Sequence, residues 1–183
     1  MAGDARRLIS FDRKPWEARA ITLLYVCRMT YQISGLNPSP FRHLIGLSDE
    51  ELKLRGTIRM IADKKPGFPC RVTLDDADIG QTLLLVNHVS HDGGNPYRAS
   101  HAIFVGEGAT EVALYQDEIP PALDRRILSL RAFNADGMMI DADLAQPGEA
   151  DAVIRRLLSD LAVDHIDAHN AIRGCFAARI DRS

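Results

Sequence analysis

Cysteine is scarce in this sequence. Cys27, Cys70 and Cys175 are an odd number of thiols with no Cys-x-x-Cys spacing, which argues against a disulfide framework and a zinc knuckle and fits a reducing, cytoplasmic setting. The apolar run Ala20–Cys27 is interrupted by Thr22 and is too short to span a bilayer. No small-residue cleavage site accompanies it, so it does not read as a secretory leader. An excess of one charge is also missing. Lys and Arg total 22 against 25 Asp and Glu, a net charge of −3, which supplies neither the phosphate tracking of a nucleic-acid binder nor attraction to an anionic membrane. There is no glycine-rich phosphate loop, dinucleotide fingerprint, Gly-x-Ser-x-Gly elbow or His-Glu-x-x-His helix, so the enzyme classes built on them are disfavoured. Internal repeats and low-complexity tracts are absent as well.

What remains is an ordinary soluble composition: 183 residues, 46% hydrophobic and 26% charged, enough for one domain with a real core. Residues 1–28 read as an extension beside a domain spanning 29–183. A chain begun at Met29 is therefore expected to fold normally, with a melting temperature close to that of the full chain. From there, short segments alternate. "MTYQISGL" reads as a strand ending at Gly35, and Ser48 with Glu51 forms a capping box that opens a short helix stopping at Gly56. "TIRMIA" and "CRVTL" read as strands, and the apolar "TLLLV" and "AIFV" as buried ones. "IPPALDRRIL" suggests a proline-initiated helical turn. "GEADAVIRRLLSDL" is the strongest helix, with Ala152, Ile154, Leu157, Leu158 and Leu161 on one face.

Two C-terminal hairpins have readable registers. A three-residue loop Ala135-Asp136-Gly137 sets Phe133 opposite Met139, Arg131 opposite Asp141 and Ser129 opposite Asp143. A loop Ile172-Arg173-Gly174 sets Asp167 opposite Arg179, His165 opposite Asp181, His169 opposite Ala177 and Ala171 opposite Cys175, with Ile166, Ala168, Phe176, Ala178 and Ile180 on the other face. The expected fold class is α+β: a mostly antiparallel sheet or half-barrel with two or three covering helices.

Four stretches, "GFPCRV" (67–72), "YRASHAIFV" (97–105), "LRAFNADGMMIDAD" (130–143) and "HNAIRGCFAARID" (169–181), resemble a family of bacterial proteins known as domain of unknown function 1203. The resemblance runs from about Met29 to the C-terminus and implies no activity, cofactor or catalytic residue.

Candidate chemistry therefore comes from the residues. The segment His88–His101, "HVSHDGGNPYRASH", reads as a long loop that delivers Tyr97, Arg98, Ser100 and His101 to the mouth of a buried strand. Arg98 suits a forked grip on a carboxylate or phosphate, and His101 suits acid–base work. In the last hairpin, Cys175 lies diagonal to His169, a thiol–imidazole pairing with Arg179 nearby. His165 and His169 cannot share one ion, because four strand residues span roughly 13 Å, and no metal or cofactor is expected. Asp141 and Asp143, on one face beside Arg131, read as structural rather than catalytic. Two functions follow. One is a small cytoplasmic enzyme or binding protein for an anionic small molecule, with His101, His169 and Cys175 as catalytic candidates and Tyr97, Arg98, Ser100 and Arg179 as ligand-binding ones. The other is a non-catalytic module that presents an exposed polar sheet face to a protein partner.

Overall fold

Alternation of side chains builds most of the molecule. A computed structural model describes residues 30–183; the reading of residues 1–28 as an extension lies outside them. Nine strands are described: β1 (Tyr31–Ser34), β2 (Ile58–Ile61), β3 (Thr82–His91), β4 (Ala99–Gly106), β5 (Leu114–Gln116), β6 (Leu128–Phe133), β7 (Met139–Ala145), β8 (His165–Asn170) and β9 (Phe176–Arg182). They form a large antiparallel sheet of order β5-β1-β9-β8-β6-β7 and a small one of order β2-β3-β4. Three short helices are described: α1 (Asp49–Leu54), α2 (Pro121–Asp124) and α3 (Ala150–Leu158), with a 3-10 segment at Ser39–Leu44. The architecture is thus mostly antiparallel sheet with a few short helices, and neither sheet closes into a barrel. No described helix is long and apolar enough to cross a membrane.

Local signals fix several elements. The Ser48 side chain accepts from the Glu51 backbone N–H while Glu51 reaches back to Ser48, so two orphan donors at the start of α1 are satisfied reciprocally. On α3, Ile154, Leu157 and Leu158 are buried against Leu128, Leu130, Ile166, Ala168 and Ile180 of the large sheet. Each such burial contributes about 1.5–3 kcal/mol. The helix ends at Leu158, three residues, or just under one turn, before the end of the apolar pattern at Leu161. Leu161 is consequently 74% exposed, Ala152 is exposed, and Ala150 takes an inner position instead.

The hairpins follow the predicted registers near one end and depart at bulges. In β6–β7, Phe133 pairs with Met139, but Ala132 pairs with Asp141 and Leu130 with Asp143. Ile140 is therefore an extra residue, and it turns Asp141 and Asp143 away from Arg131 and Ser129. Both aspartates meet Arg156 of α3, at 3.2 and 2.8 Å. That guanidinium, not Arg131, holds the Asp141 carboxyl below its ordinary range. In β8–β9, Asp167 faces Arg179 and His165 faces Asp181 as the pattern required, whereas His169 faces Phe176. Asn170 N–H donates to the Cys175 carbonyl, so the loop has four residues, Ala171–Gly174, and Ala177 is the bulge.

Two further expectations change. "CRVTL" is a turn rather than a strand: Leu74 N–H donates to the Cys70 carbonyl, and Leu74 has φ +53°. The segment His88–His101 is strand for half its length, because β3 runs on to His91 and β4 begins at Ala99, leaving residues 92–98 as the turn. This extension of the β3–β4 hairpin matters most, since it carries the small sheet across the polar face of the large one.

Candidate functional site

The polar face of β8 and β9 is not solvated. His165, Asp167 and His169 are all buried, because the β3–β4 hairpin lies over them. Arg179 Nη2 donates to the Ser90 carbonyl at 3.3 Å, the His101 and His169 rings sit 4.9 Å apart edge to face, and the His88 ring lies 5.9 Å from Phe176. Of the six histidines, five (His88, His91, His101, His165 and His169) meet in this seam. Only His43, on the 3-10 segment, stands apart.

The seam is polar and internally paired. Arg179 grips Asp167 through two hydrogen bonds, 2.9 and 3.2 Å, with Asp167 only 1% exposed. His169 is pushed down to about 4, first by burial and then by Arg131 and His101, so its imidazole is neutral at pH 7. Its Nδ1 donates to the Asp167 carbonyl, which can only accept. Burial and Arg131 also lower His101, whose Nδ1 meets the Ser90 hydroxyl at 2.9 Å.

From His101 the seam opens into a cleft of about 940 Å³ between the two sheets. Ser100, His101, Ala102 and Phe104 of β4 form one wall, and Asn170, Ile172, Arg173 and Cys175 of the β8–β9 turn form the other. Apolar lining comes from Met60, Phe68, Leu85 and Ile127, and cations from Lys64, Arg71, Arg125, Arg126 and Arg173. Arg71 is the notable one. It is 2% exposed and donates from Nε to the Phe176 carbonyl at 2.7 Å, from Nη1 to the Pro69 carbonyl, and from Nη2 to Cys175 Sγ at 3.2 Å. Burial works against its charge, and among the described residues no carboxylate pairs with it. Arg126, by contrast, is held by Asp76 through two bonds of 2.6 and 3.0 Å.

The site residues read from the sequence divide accordingly. His101, Ser100 and Cys175 line the cleft, and His169 stands behind His101. Cys175 takes its hydrogen bonds from Arg71 and Asn170 rather than from His169. Arg98 lies at the exposed hairpin tip, bound to Asp92 at 2.8 Å, and Tyr97 packs on Phe133; neither lines the cleft. Arg179 serves Asp167 on the other side of the seam. The main residue that sequence reasoning missed is Arg71. Its "CRVTL" context read as a strand, where a lone arginine carries no message. Its role depends on a turn that sets its backbone against β4, with Arg71 N–H donating to the Phe104 carbonyl.

Fold and site together define a class: an α+β domain of two stacked antiparallel sheets, with a histidine-rich seam opening into a cation-lined cleft. The chain belongs to the family described as Protein of unknown function (DUF1203), which matches residues 67–182. That span contains all of β3–β9, and thus most of the cleft. No curated protein and no solved structure matches the chain.

Proposed function

We propose that this protein binds a small molecule with an anionic head and an apolar body in the cleft, as a small enzyme or binding protein. One observation carries the reading: Arg71 is a buried guanidinium without a carboxylate among the described residues. Burying such a charge is costly, and an anionic group entering the cleft would offset the cost with charge-assisted hydrogen bonds. Arg173 and Lys64 add positive charge at the exposed rim, while Phe68, Phe104 and Ile127 supply apolar walls for the rest of the ligand. If the ligand reacts, His101 is the acid–base group, being neutral and held by Ser90, and Cys175 is the thiol that faces the cleft. The role assigned to Arg98 from sequence passes to Arg71 and Arg173. The reading as a partner-binding polar face is less favoured, since the hairpin already covers that face.

Titration with 8-anilino-1-naphthalenesulfonate, an aromatic sulfonate, tests the proposal by fluorescence. Saturable binding is expected, and it should slow alkylation of Cys175 by iodoacetamide. Arg173→Ala should weaken binding about threefold, the size of one exposed charge contact, and Arg98→Ala should leave it unchanged. Binding lost in Arg98→Ala and retained in Arg173→Ala would place the ligand at the hairpin tip and refute the reading.

A further inference from the structure

At the closed end of the seam, away from the cleft, His91 from β3 meets His165 and Asp167 from β8. One nitrogen of each histidine and one Asp167 oxygen lie within 4.8 Å of one another, and all three residues are buried. The hydrogen bonds around them fix which atoms are free. His91 Nε2 lies 3.0 Å from the Gly137 carbonyl, which can only accept, so Nε2 carries the proton and Nδ1 keeps its lone pair. That lone pair faces Asp167 Oδ2 at 3.9 Å, too far for a hydrogen bond. His165 Nδ1 lies 2.9 Å from the Asp164 carboxylate, so its lone pair is on Nε2. This atom is buried and has no hydrogen-bond partner among the described residues, in a residue 8% exposed. A buried, unsatisfied nitrogen is costly and calls for an occupant.

We infer that His91, His165 and Asp167 bind a divalent first-row transition-metal ion with an open coordination position. Two imidazoles and a carboxylate are the donor set such ions take when a further position is left for water or substrate. The outer contacts are also those of a metal site: a carbonyl on one ligand histidine, a carboxylate on the other, and Arg179 on the ligand carboxylate. Arg179 takes one bond on each Asp167 oxygen, and a carboxylate offers about four acceptor sites, so Oδ2 retains one for the ion. A tetrahedral ion with bonds of about 2.1 Å sets its ligand atoms about 3.4 Å apart. The donor atoms therefore need to close in by less than about 1 Å each. His165 and His169 stay too far apart along β8 to share an ion; the histidine partner of His165 is His91, from the other sheet. The inference is independent of the ligand proposed for the cleft.

The test uses the full chain, dialysed against chelator and titrated with Co²⁺, followed by visible absorption and metal analysis. One cobalt per chain with ligand-field bands is expected, together with a rise in melting temperature on loading. His91→Gln and His165→Gln should each weaken binding at least about a hundredfold. Asp164→Asn, acting through the orientation of His165, should weaken it about ten- to a hundredfold. His101→Gln should retain the spectrum. The inference is overturned if the native chain shows neither saturable binding nor a melting shift. It is equally overturned if the bands survive in His91→Gln or disappear in His101→Gln while His91→Gln keeps them.

Discussion

Asp76→Ala is expected to destabilise the protein by about 3–5 kcal/mol, the cost of removing one partner from a buried ion pair. The Asp76 side chain is fully buried beside Arg126. Its Oδ1 accepts from Arg126 Nη2 and from the Gly67 N–H at 3.0 Å, and its Oδ2 from Arg126 Nη1. Truncation would strip the partly buried Arg126 guanidinium of its carboxylate, leaving it the Ala122 carbonyl, would orphan the Gly67 N–H, and would loosen Arg126 from the cleft wall. The effect carries a pH signature. Burial alone would raise the carboxyl's pKa, but the Arg126 fork and the Gly67 N–H outweigh it and hold the group below its ordinary range. The folded value is thus below the unfolded value of about 3.9. The stabilisation is present above that pH and is lost as pH falls through the folded value. Urea unfolding should show the widest gap between native protein and Asp76→Ala at neutral pH, closing below about pH 4. A constant gap from pH 7 to pH 3 would contradict this account of Asp76.

Gly35→Ala is expected to cost about 3 kcal/mol, the upper end of what overpacking costs. A Cβ at Gly35 would lie 1.9 Å from the Val72 carbonyl oxygen, and the obstacle is backbone that cannot swing aside. That carbonyl accepts from the Ala113 N–H at 2.9 Å, while the neighbouring Leu36 N–H donates to the Arg71 carbonyl at 2.7 Å. Displacing Val72 would therefore break the tie to Ala113 and shift the turn that holds Arg71. For a domain of this size the loss corresponds to a melting temperature lower by about 6–12 °C, measurable by calorimetry, and a change under 2 °C would refute the close approach.

Gly35 illustrates what the sequence does and does not disclose. Its position after "YQIS" marks the end of β1 correctly, because glycine punctuates strands, but nothing local tells that Val72 passes at van der Waals distance. The capping box at Ser48 and Glu51 and the pairing of Asp167 with Arg179 are legible for the same reason: each depends on residues close in sequence or on strict alternation. Bulges escape such reasoning. Ile140 and Ala177 each insert one residue, and a single insertion exchanges the faces beyond it. That is why Asp141 and Asp143 face Arg156 rather than Arg131 and Ser129.

The site was half legible for a related reason. The polar face of β8–β9, with His165, Asp167 and His169, follows from alternation. Whether such a face is solvated depends on what covers it, and the cover is the long β3–β4 hairpin. Its strands extend through "NHVSH" and "ASH" despite polar composition, since those side chains are received by an equally polar surface. His101 and Cys175 reach the cleft as their positions in the hairpins suggested, while Arg98 ends at the tip because the turn is shorter than the segment suggested. Arg71 is invisible without the tertiary arrangement: its side chain donates to Pro69, Cys175 and Phe176, and two of these lie more than 100 residues away.

The most direct test of the cleft is a two-dimensional amide NMR titration of the protein with 8-anilino-1-naphthalenesulfonate. Saturable shifts are predicted for the amides of residues 100–104 and 172–175 and for the Arg71 side-chain Nε–H. Shifts confined to residues 92–98, or none at an excess of the probe, would contradict the assignment of an anionic ligand to this cleft.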